Sequence, residues 1–252
     1  MPYVSVVMPA YNAEKTISEA IESVLNQTFT DFELIILNDC SRDDTENIIN
    51  KYISDVRIIY VKNEKNLGVS ETRNKGIDRA KGKWIAFLDS DDIWKEDKLQ
   101  KQIELLQKER EATLCYTGSA FIDSEGKRSR YVLKVPSRLS YKKLLKQNLI
   151  SCSSALVKSD VIKKLRMPGD QMHEDYFIWL TILKQTSYAY GINEPLIIYR
   201  LSKGSKSSKR LKSARMTYNT YRAIGYSSII AALLVARYAV YSIKKRARIR
   251  FS

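Results

Sequence analysis

Four short apolar runs, each followed by a segment with helical spacing, constrain this chain more than any other feature. Tyr3–Met8, Phe32–Leu37, Ile58–Val61 and Ile85–Leu88 are nearly continuous in Val, Ile, Leu and aromatic residues. After the first run, Ala13–Asn26 places Ile17, Ala20, Ile21, Val24 and Leu25 on one helical face. Asp43–Ile53, Ser70–Ala80 and Lys95–Lys108 read as the helices after the other three. Strands with no polar alternation are buried on both faces, which is how parallel strands look when helices cover each side. The expectation for residues 1–123 is therefore an α/β fold around a mostly parallel sheet.

The remainder is less regular. Thr113–Ile122 reads as a strand, Asp123–Gly126 as a turn, Ser140–Gln147 as a short helix and Ser151–Val157 as a strand. Asp175–Lys184 is helical in spacing, and Leu196–Tyr199 is a last strand. These segments make residues 124–201 a second, smaller half of the same domain.

A net charge of +15 suggests nucleic-acid binding until the charges are located. Residues 195–252 hold fourteen Lys or Arg and no acid, which leaves 29 bases against 28 acids before them. The chain thus reads as a nearly neutral domain followed by a cationic tail, residues 202–252. Within the tail, Ser202–Ser213 is rich in Ser and Lys and reads as a loop. Tyr218–Arg250 reads as a helix with an apolar face. Its uncharged stretch, Ala223–Ala236, is 14 residues long, short of the ~20 needed to cross a bilayer. Such a helix is expected to lie on an anionic membrane surface. Three cysteines without a C-x-x-C pair fit a reducing compartment, and Val4–Met8 reads as a first strand rather than a leader.

In a parallel sheet the loops after successive strands converge on one edge, where ligands bind. Loop one is Pro9-Ala10-Tyr11-Asn12, whose aromatic ring could pack beside a planar base. Loop two, Asn38-Asp39-Cys40-Ser41, offers a carboxylate for a ring N–H or, alternatively, a cap for the next helix. Loop three ends in Gly68-Val69-Ser70, a helix start that presents N–H groups to an anion, with Arg73 one turn on. No Gly-Lys-Ser/Thr loop or G-x-G-x-x-G fingerprint is present. Loop four is Asp89-Ser90-Asp91-Asp92, directly after Trp84–Leu88. Like charges this close repel, and a divalent ion relieves that; Asp oxygens suit Mg²⁺ or Mn²⁺. A second acidic centre, Glu174-Asp175, opens a helix far downstream, beside the single histidine, His173. Two separate carboxylate centres suggest that one holds an ion and its diphosphate while the other removes a proton.

Taken in order, these pieces resemble the family 2 glycosyltransferases. The matching segments are Val6–Asn12, Ser23–Phe29, Asn38–Ser41, Asn66–Ser70, Arg73–Gly76, Trp84–Asp92, Glu174-Asp175 and Tyr199-Arg200. The resemblance covers about 200 residues. It implies the GT-A fold, with a Rossmann-like sheet, residues 1–123 binding a nucleotide-sugar and 124–201 facing the acceptor. It also implies roles: Pro9, Tyr11 and Asp39 along the base, Arg73 near the nucleotide, Asp89 and Asp91 as a D-x-D at ribose and metal. Asp175 matches the general base, and Arg200 a position near diphosphate or acceptor. The chain departs from the family at Cys40, where a glycine is usual, and at Ser202, where a histidine is usual. The Gln-x-x-Arg-Trp box of processive synthases is absent, which argues for transfer of a single sugar.

The resemblance therefore implies inverting transfer of a hexose from UDP-glucose or UDP-galactose, dependent on Mn²⁺ or Mg²⁺. The cationic tail points to a lipid-linked acceptor such as GlcNAc-diphospho-undecaprenol, in O-antigen, lipopolysaccharide or capsule synthesis. The expected place is peripheral, on the cytoplasmic face of a bacterial inner membrane, with no nucleic-acid partner. Two other readings stay open at this stage. One is a nucleotidyltransferase acting on a sugar phosphate, and the other a basic nucleic-acid-binding protein.

Overall fold

A computed structural model describes residues 1–201 and 210–249 of the chain. The first part alternates as expected: β1 (Val4–Ala10), α1 (Ile17–Leu25), β2 (Phe32–Asn38), α2 (Thr45–Asn50), β3 (Ile58–Lys62), α3 (Val69–Arg79) and β4 (Trp84–Phe87). Then come β5 (Ile93–Trp94), α4 (Lys98–Lys108), β6 (Leu114–Asp123), β7 (Arg138–Leu139) and α5 (Tyr141–Leu144). A 3-10 turn at Cys152–Ser154 leads into β8 (Leu156–Lys158), α6 (Ser159–Leu165), α7 (Glu174–Gln185) and β9 (Ala189–Leu201). Two helices, α8 (Arg210–Ala223) and α9 (Ser228–Arg248), complete the described chain.

All strands join one sheet in the order β3-β2-β1-β4-β8-β6-β9-β5, with β7 also paired to β9. From β3 to β4 the pairing is parallel. β8 runs antiparallel between β4 and β6, so β4 and β6 share a direction, and β9 is parallel to β6. Six strands thus end at the same edge. Because β8 is reversed, the turn before it arrives at that edge too.

Successive residues of β1 serve opposite faces, the period of two inherent to a strand. Val4, Val6 and Met8 join the core under α1 and α4, while Val7 joins the core under α3 and α7. All seven residues of β1 are buried, as are all seven of β2. Gly76 lets α3 lie close on this sheet, since a Cβ there would overlap the Val7 side chain.

Three departures from the sequence expectation concern short elements. The strand expected at 151–157 is a 3-10 turn followed by only three paired residues. β5 and α6 were not anticipated, because two or seven residues are too few to show a period. The loop expected at 202–213 lies mostly outside the described residues, and its last four residues open α8. α8 and α9 pack on the domain through Met216, Tyr221, Ile224 and Ala231, all buried. No described helix is long and apolar enough to cross a membrane.

Candidate active site

The common edge of the sheet opens into a cleft of 720 Å³. Loops one to three contribute Pro9, Tyr11, Asp39, Asn66 and Gly68 at the β1–β2 side. Asp89 and Asp91 stand at the end of β4, with Arg73, Glu174 and Asp175 around them. Phe121 and Tyr199, from β6 and β9, and Tyr238, Ser242 and Lys245, from α9, line the other side. Every candidate residue read from the sequence faces this one cavity: Pro9, Tyr11, Asp39, Arg73, Asp89, Asp91, Asp175 and Arg200.

Loops one and two are stitched together. The amide of Asn12 donates to the Ser41 hydroxyl at 3.1 Å, and the amide of Arg42 donates to Asn12 Oδ1 at 2.9 Å. Glu14 N–H donates to Asp43 Oδ2, and Asp44 N–H donates to Glu14 Oε2, both at 3.1 Å. Asp39 is buried and ties loop two to loop three. It accepts from Asn63 Nδ2 and Leu67 N at 2.8 Å and from Gly68 N at 3.0 Å. Cys40 has φ +62°, the left-handed region where glycine is usual. The backbone path expected of a glycine is thus kept, with the Cys side chain carried along.

The helix start at Gly68-Val69-Ser70 does find an anion, but from within the chain. Ser70 N and Oγ donate to Asp170 Oδ1 at 3.2 and 2.7 Å. Sequence reasoning left these N–H groups for a ligand and had no signal for Asp170, which lies 100 residues away.

Arg73 joins the two acidic centres. It is buried at the start of the second turn of α3, donates Nη1 to Glu174 Oε1 at 2.9 Å and pairs through Nη2 with Asp89. Burial opposes the guanidinium charge, but Asp89 and then Glu174 outweigh it and hold Arg73 firmly protonated. Charge-assisted pairs of this kind are strong and directional. Among the described residues Arg73 Nε has no hydrogen-bond partner.

The three aspartates of loop four take three different surroundings. Asp89 faces Arg73, and Asp91 faces the cleft. Asp92 turns inward and is buried, accepting from Ser153 Oγ at 2.6 Å and from Arg200 N at 3.0 Å. Burial, then Asp91 and Asp89, push its carboxyl well above the ordinary range. Ser153 also accepts from the amide of Asp89 at 3.1 Å. The reversed β8 brings this serine to the edge, and nothing in its local sequence marks it. Arg200 donates Nε to the Asp91 carbonyl at 3.0 Å and Nη2 to Glu19 Oε2 at 2.5 Å.

Asp175 opens α7 and is half-buried in the cleft, accepting from Tyr176 N–H at 2.7 Å. Burial and the Glu174 carboxylate raise its pKa to about 7, against the pull of Arg73. A carboxyl poised near neutrality suits proton transfer. His173 Nε2 lies 3.2 Å from both Ser213 O and Ser213 Oγ and links α7 to α8.

The glycosyl transferase family 2 model matches residues 5–166. The chain belongs to glycosyltransferase family 2. TuaG of Bacillus subtilis, assigned to teichuronic acid biosynthesis, is 38% identical over 247 residues, covering 97% of this chain and 98% of TuaG. WfgD of Escherichia coli, a UDP-Glc:α-D-GlcNAc-diphosphoundecaprenol β-1,3-glucosyltransferase, is 35% identical over 246 residues, covering 97% of this chain and 95% of WfgD. The crystal structure of S. aureus TarS 1–349 in complex with UDP-GlcNAc superposes with a TM-score of 0.75. It is 19% identical, covers 95% of this chain and 72% of that one, and carries the GT-A fold. This membership sets aside the nucleotidyltransferase and nucleic-acid-binding readings in favour of a glycosyltransferase.

Proposed function

We propose that this glycosyltransferase moves a single hexose, glucose or galactose, from a UDP-sugar to a hydroxyl of a lipid-linked saccharide, with inversion. GlcNAc-diphospho-undecaprenol is the model acceptor, in assembly of a bacterial surface polysaccharide. The observation that carries the reading is the junction at Arg73, which holds the β4 aspartates and the Glu174-Asp175 pair around one cleft. The acceptor class is supported by WfgD, whose name gives such a substrate.

In this reading Pro9 and Tyr11 flank the base and Asp39 orders loops two and three around it. Asp175 takes the proton from the acceptor hydroxyl, whose oxygen attacks the anomeric carbon opposite UDP. The new glycosidic bond forms as the bond to the β-phosphate breaks, and the electron pair leaves with UDP. Among the described residues no group of three or more His, Cys, Asp or Glu side chains gathers at one point. Mg²⁺ and Mn²⁺ sites of the open kind need only one or two carboxylates, with substrate phosphates completing the shell. Asp91, with Asp89, fits that mode. Such an ion would supply Lewis-acid stabilisation of the leaving diphosphate.

In the same reading the enzyme sits peripherally on the cytoplasmic face of the membrane, and the exposed face of α9 supports contact with a lipid surface. Ile229, Leu233, Val240 and Ile243 of α9 are all at least half exposed. With Ala236 and Ala247 they form an outward stripe, and Arg237, Lys244 and Arg248 are exposed beside it. Basic residues near an anionic surface contribute about 1 kcal/mol each.

The test is a panel of UDP-sugars offered with a synthetic GlcNAc-diphospho-lipid, with Mn²⁺, with Mg²⁺ and with chelator. UDP release with one sugar, lost on chelation and in Asp91→Ala, is the expected result. Turnover that survives chelation removes the ion from the reading. Binding of no UDP-sugar to the intact protein would end it altogether. Replacing Leu233 and Ile243 by Glu should move the folded protein off vesicles containing anionic lipid.

A further inference from the structure

The excess of cations is not confined to the tail. Between Glu125 and Asp160 stand nine Lys or Arg and no acid, and no acid follows Glu194. The fold sets these two acid-free stretches side by side, α5 from the first and α9 from the second. Tyrosine hydroxyls hold α5 in place. Those of Tyr176 and Tyr221 donate to the carbonyls of Leu144 and Leu145 at 3.0 and 2.9 Å, and those of Tyr141 and Tyr226 meet at 3.2 Å. The end of α5 is thereby pinned to α7, α8 and the turn before α9. A groove remains between α5 and α9.

The groove has a volume of 270 Å³. Lys142, Leu145 and Lys146 line it from one side, Leu234 and Arg237 from the other. Leu145 and Lys146 continue the turn of α5, with Lys146 N–H donating to Lys143 O at 3.1 Å. Both leucines pack on the core, which makes the floor apolar. Among the described residues no carboxylate lines the groove, and none of its three cations takes part in an ion pair. Three like charges around one small cavity repel, and an anion seated among them relieves that. Ammonium and guanidinium groups together suit a phosphate. Free phosphate would gain nothing from a leucine floor, whereas a phosphate ester with an acyl chain would use both. On α9, Ile230 and Leu233 precede Leu234 and Arg237 by one turn, and Tyr241 follows Arg237 by one; all three are exposed. The groove thus opens beside the face ascribed above to a lipid surface. Gln147 and Tyr238, the next residue on each side, line the catalytic cleft instead. An occupant of the groove therefore lies outside the cleft and is not a reactant.

We propose that this groove binds an anionic bilayer phospholipid. Lys142, Lys146 and Arg237 take its phosphate, and Leu145 and Leu234 take the start of an acyl chain. The inference rests on the lipid-surface contact proposed above. It adds the headgroup charge that the surface must carry and the residues that read it.

The experiment uses the intact protein in two arms. In the first, flotation measures partition into phosphatidylcholine vesicles with and without phosphatidylglycerol, and the readout is the ratio of the two. Lys142→Gln, Lys146→Gln and Arg237→Gln together should lower that ratio roughly a hundredfold, from about 1 kcal/mol for each base near the surface. Lys51, Arg79 and Lys81 are exposed on the opposite edge of the sheet. Their joint replacement by Gln should change the ratio by no more than about threefold, because salt screens distant charges. Equal losses in the two triple variants overturn the proposal, since bulk charge would then explain both. The second arm titrates monomeric dihexanoyl-phosphatidylglycerol, dihexanoyl-phosphatidylcholine and inorganic phosphate by calorimetry. Saturable binding of the phosphatidylglycerol alone, about tenfold weaker in the groove variant and kept in Lys142→Arg with Lys146→Arg, is the expected result. Phosphate bound as tightly as the lipid, or lipid binding unchanged in the groove variant, overturns it. The lipid-surface reading fails separately, if the wild type floats with no vesicle at all; the second arm then decides the groove alone.

Discussion

The two sides of the cleft are held by different means. On the β1–β3 side, loops one, two and three bind one another through side-chain-to-backbone hydrogen bonds at Asn12, Glu14, Asp39 and Asp43. On the β6–β9 side the wall is aromatic packing between segments far apart in the chain: Phe121 with Tyr199, and Tyr176 with Tyr221 and Tyr238. Polar ties fix positions within a narrow range of angle and distance. Apolar packing tolerates exchange of side chains of similar volume. Under the proposed function the first side would hold one kind of donor, while the second could be re-cut for different acceptors.

Arg73 spans the two, and removing it is the sharpest way to break the comparison. Arg73→Met leaves Asp89 and Glu174 without their common cation. It should cost about 3–5 kcal/mol of stability, as expected for a buried pair broken on one side, measured by urea unfolding. Activity should fall with it. Asp175→Asn should cut kcat by about 10²–10⁴ while leaving the fold intact. The folded carboxyl keeps its proton to a pKa of about 7, above its ordinary 3.8. It therefore lowers stability as pH rises through that window, so Asp175→Asn should unfold at higher urea at pH 7. For the same reason wild-type turnover should rise with pH and level off above about 7, read from a pH–rate profile.

A third prediction probes the seam beneath both sides. Lys98 is fully buried, donates to Gln102 Oε1 at 2.8 Å and lies over the Trp94 ring at 3.7 Å. Burial lowers its pKa from 10.5 to about 7. Between those values the unfolded state binds the extra proton, so stability rises with pH there. Lys98→Met should stabilise the protein by about 1–3 kcal/mol at pH 7, a gain that shrinks towards pH 10. The smallest effect concerns loop two alone. Cys40→Gly relieves a left-handed residue and should change stability by about 1 kcal/mol or less, gain and added chain entropy offsetting. A large loss there would mean that the thiol, which donates to Glu64 O at 3.7 Å, matters more than the backbone.

The same contrast explains what could be read from the sequence. β1 to β4 were legible because each is a local apolar run beside its own helix, and the loops at their ends carry most of the candidate residues that line the cleft. Glu174-Asp175 was legible as a pair of acids at a helix start. β8 was legible only in part, since the strand expected at 151–157 overlaps it at Leu156 and Val157 and so short a strand carries no period to fix its bounds. Ser153 and Asp170 act through contacts with residues distant in the chain, such as Asp92 and Ser70, 61 and 100 positions away. Asp92 looked like its neighbours, and only the fold separates the inward carboxyl from the two that face outward. Lys245 read as one charge in a basic run, because the helical face it occupies depends on where α9 docks.

On α9, the residues lining the cavity and those facing outward interleave along 21 positions without sharing one. If the outer row sets where the enzyme sits, as proposed, that property and the shape of the cleft can drift apart in a lineage. Exchanges on the outer row would then leave the cavity wall untouched, and exchanges on the inner row would leave the exposed stripe untouched.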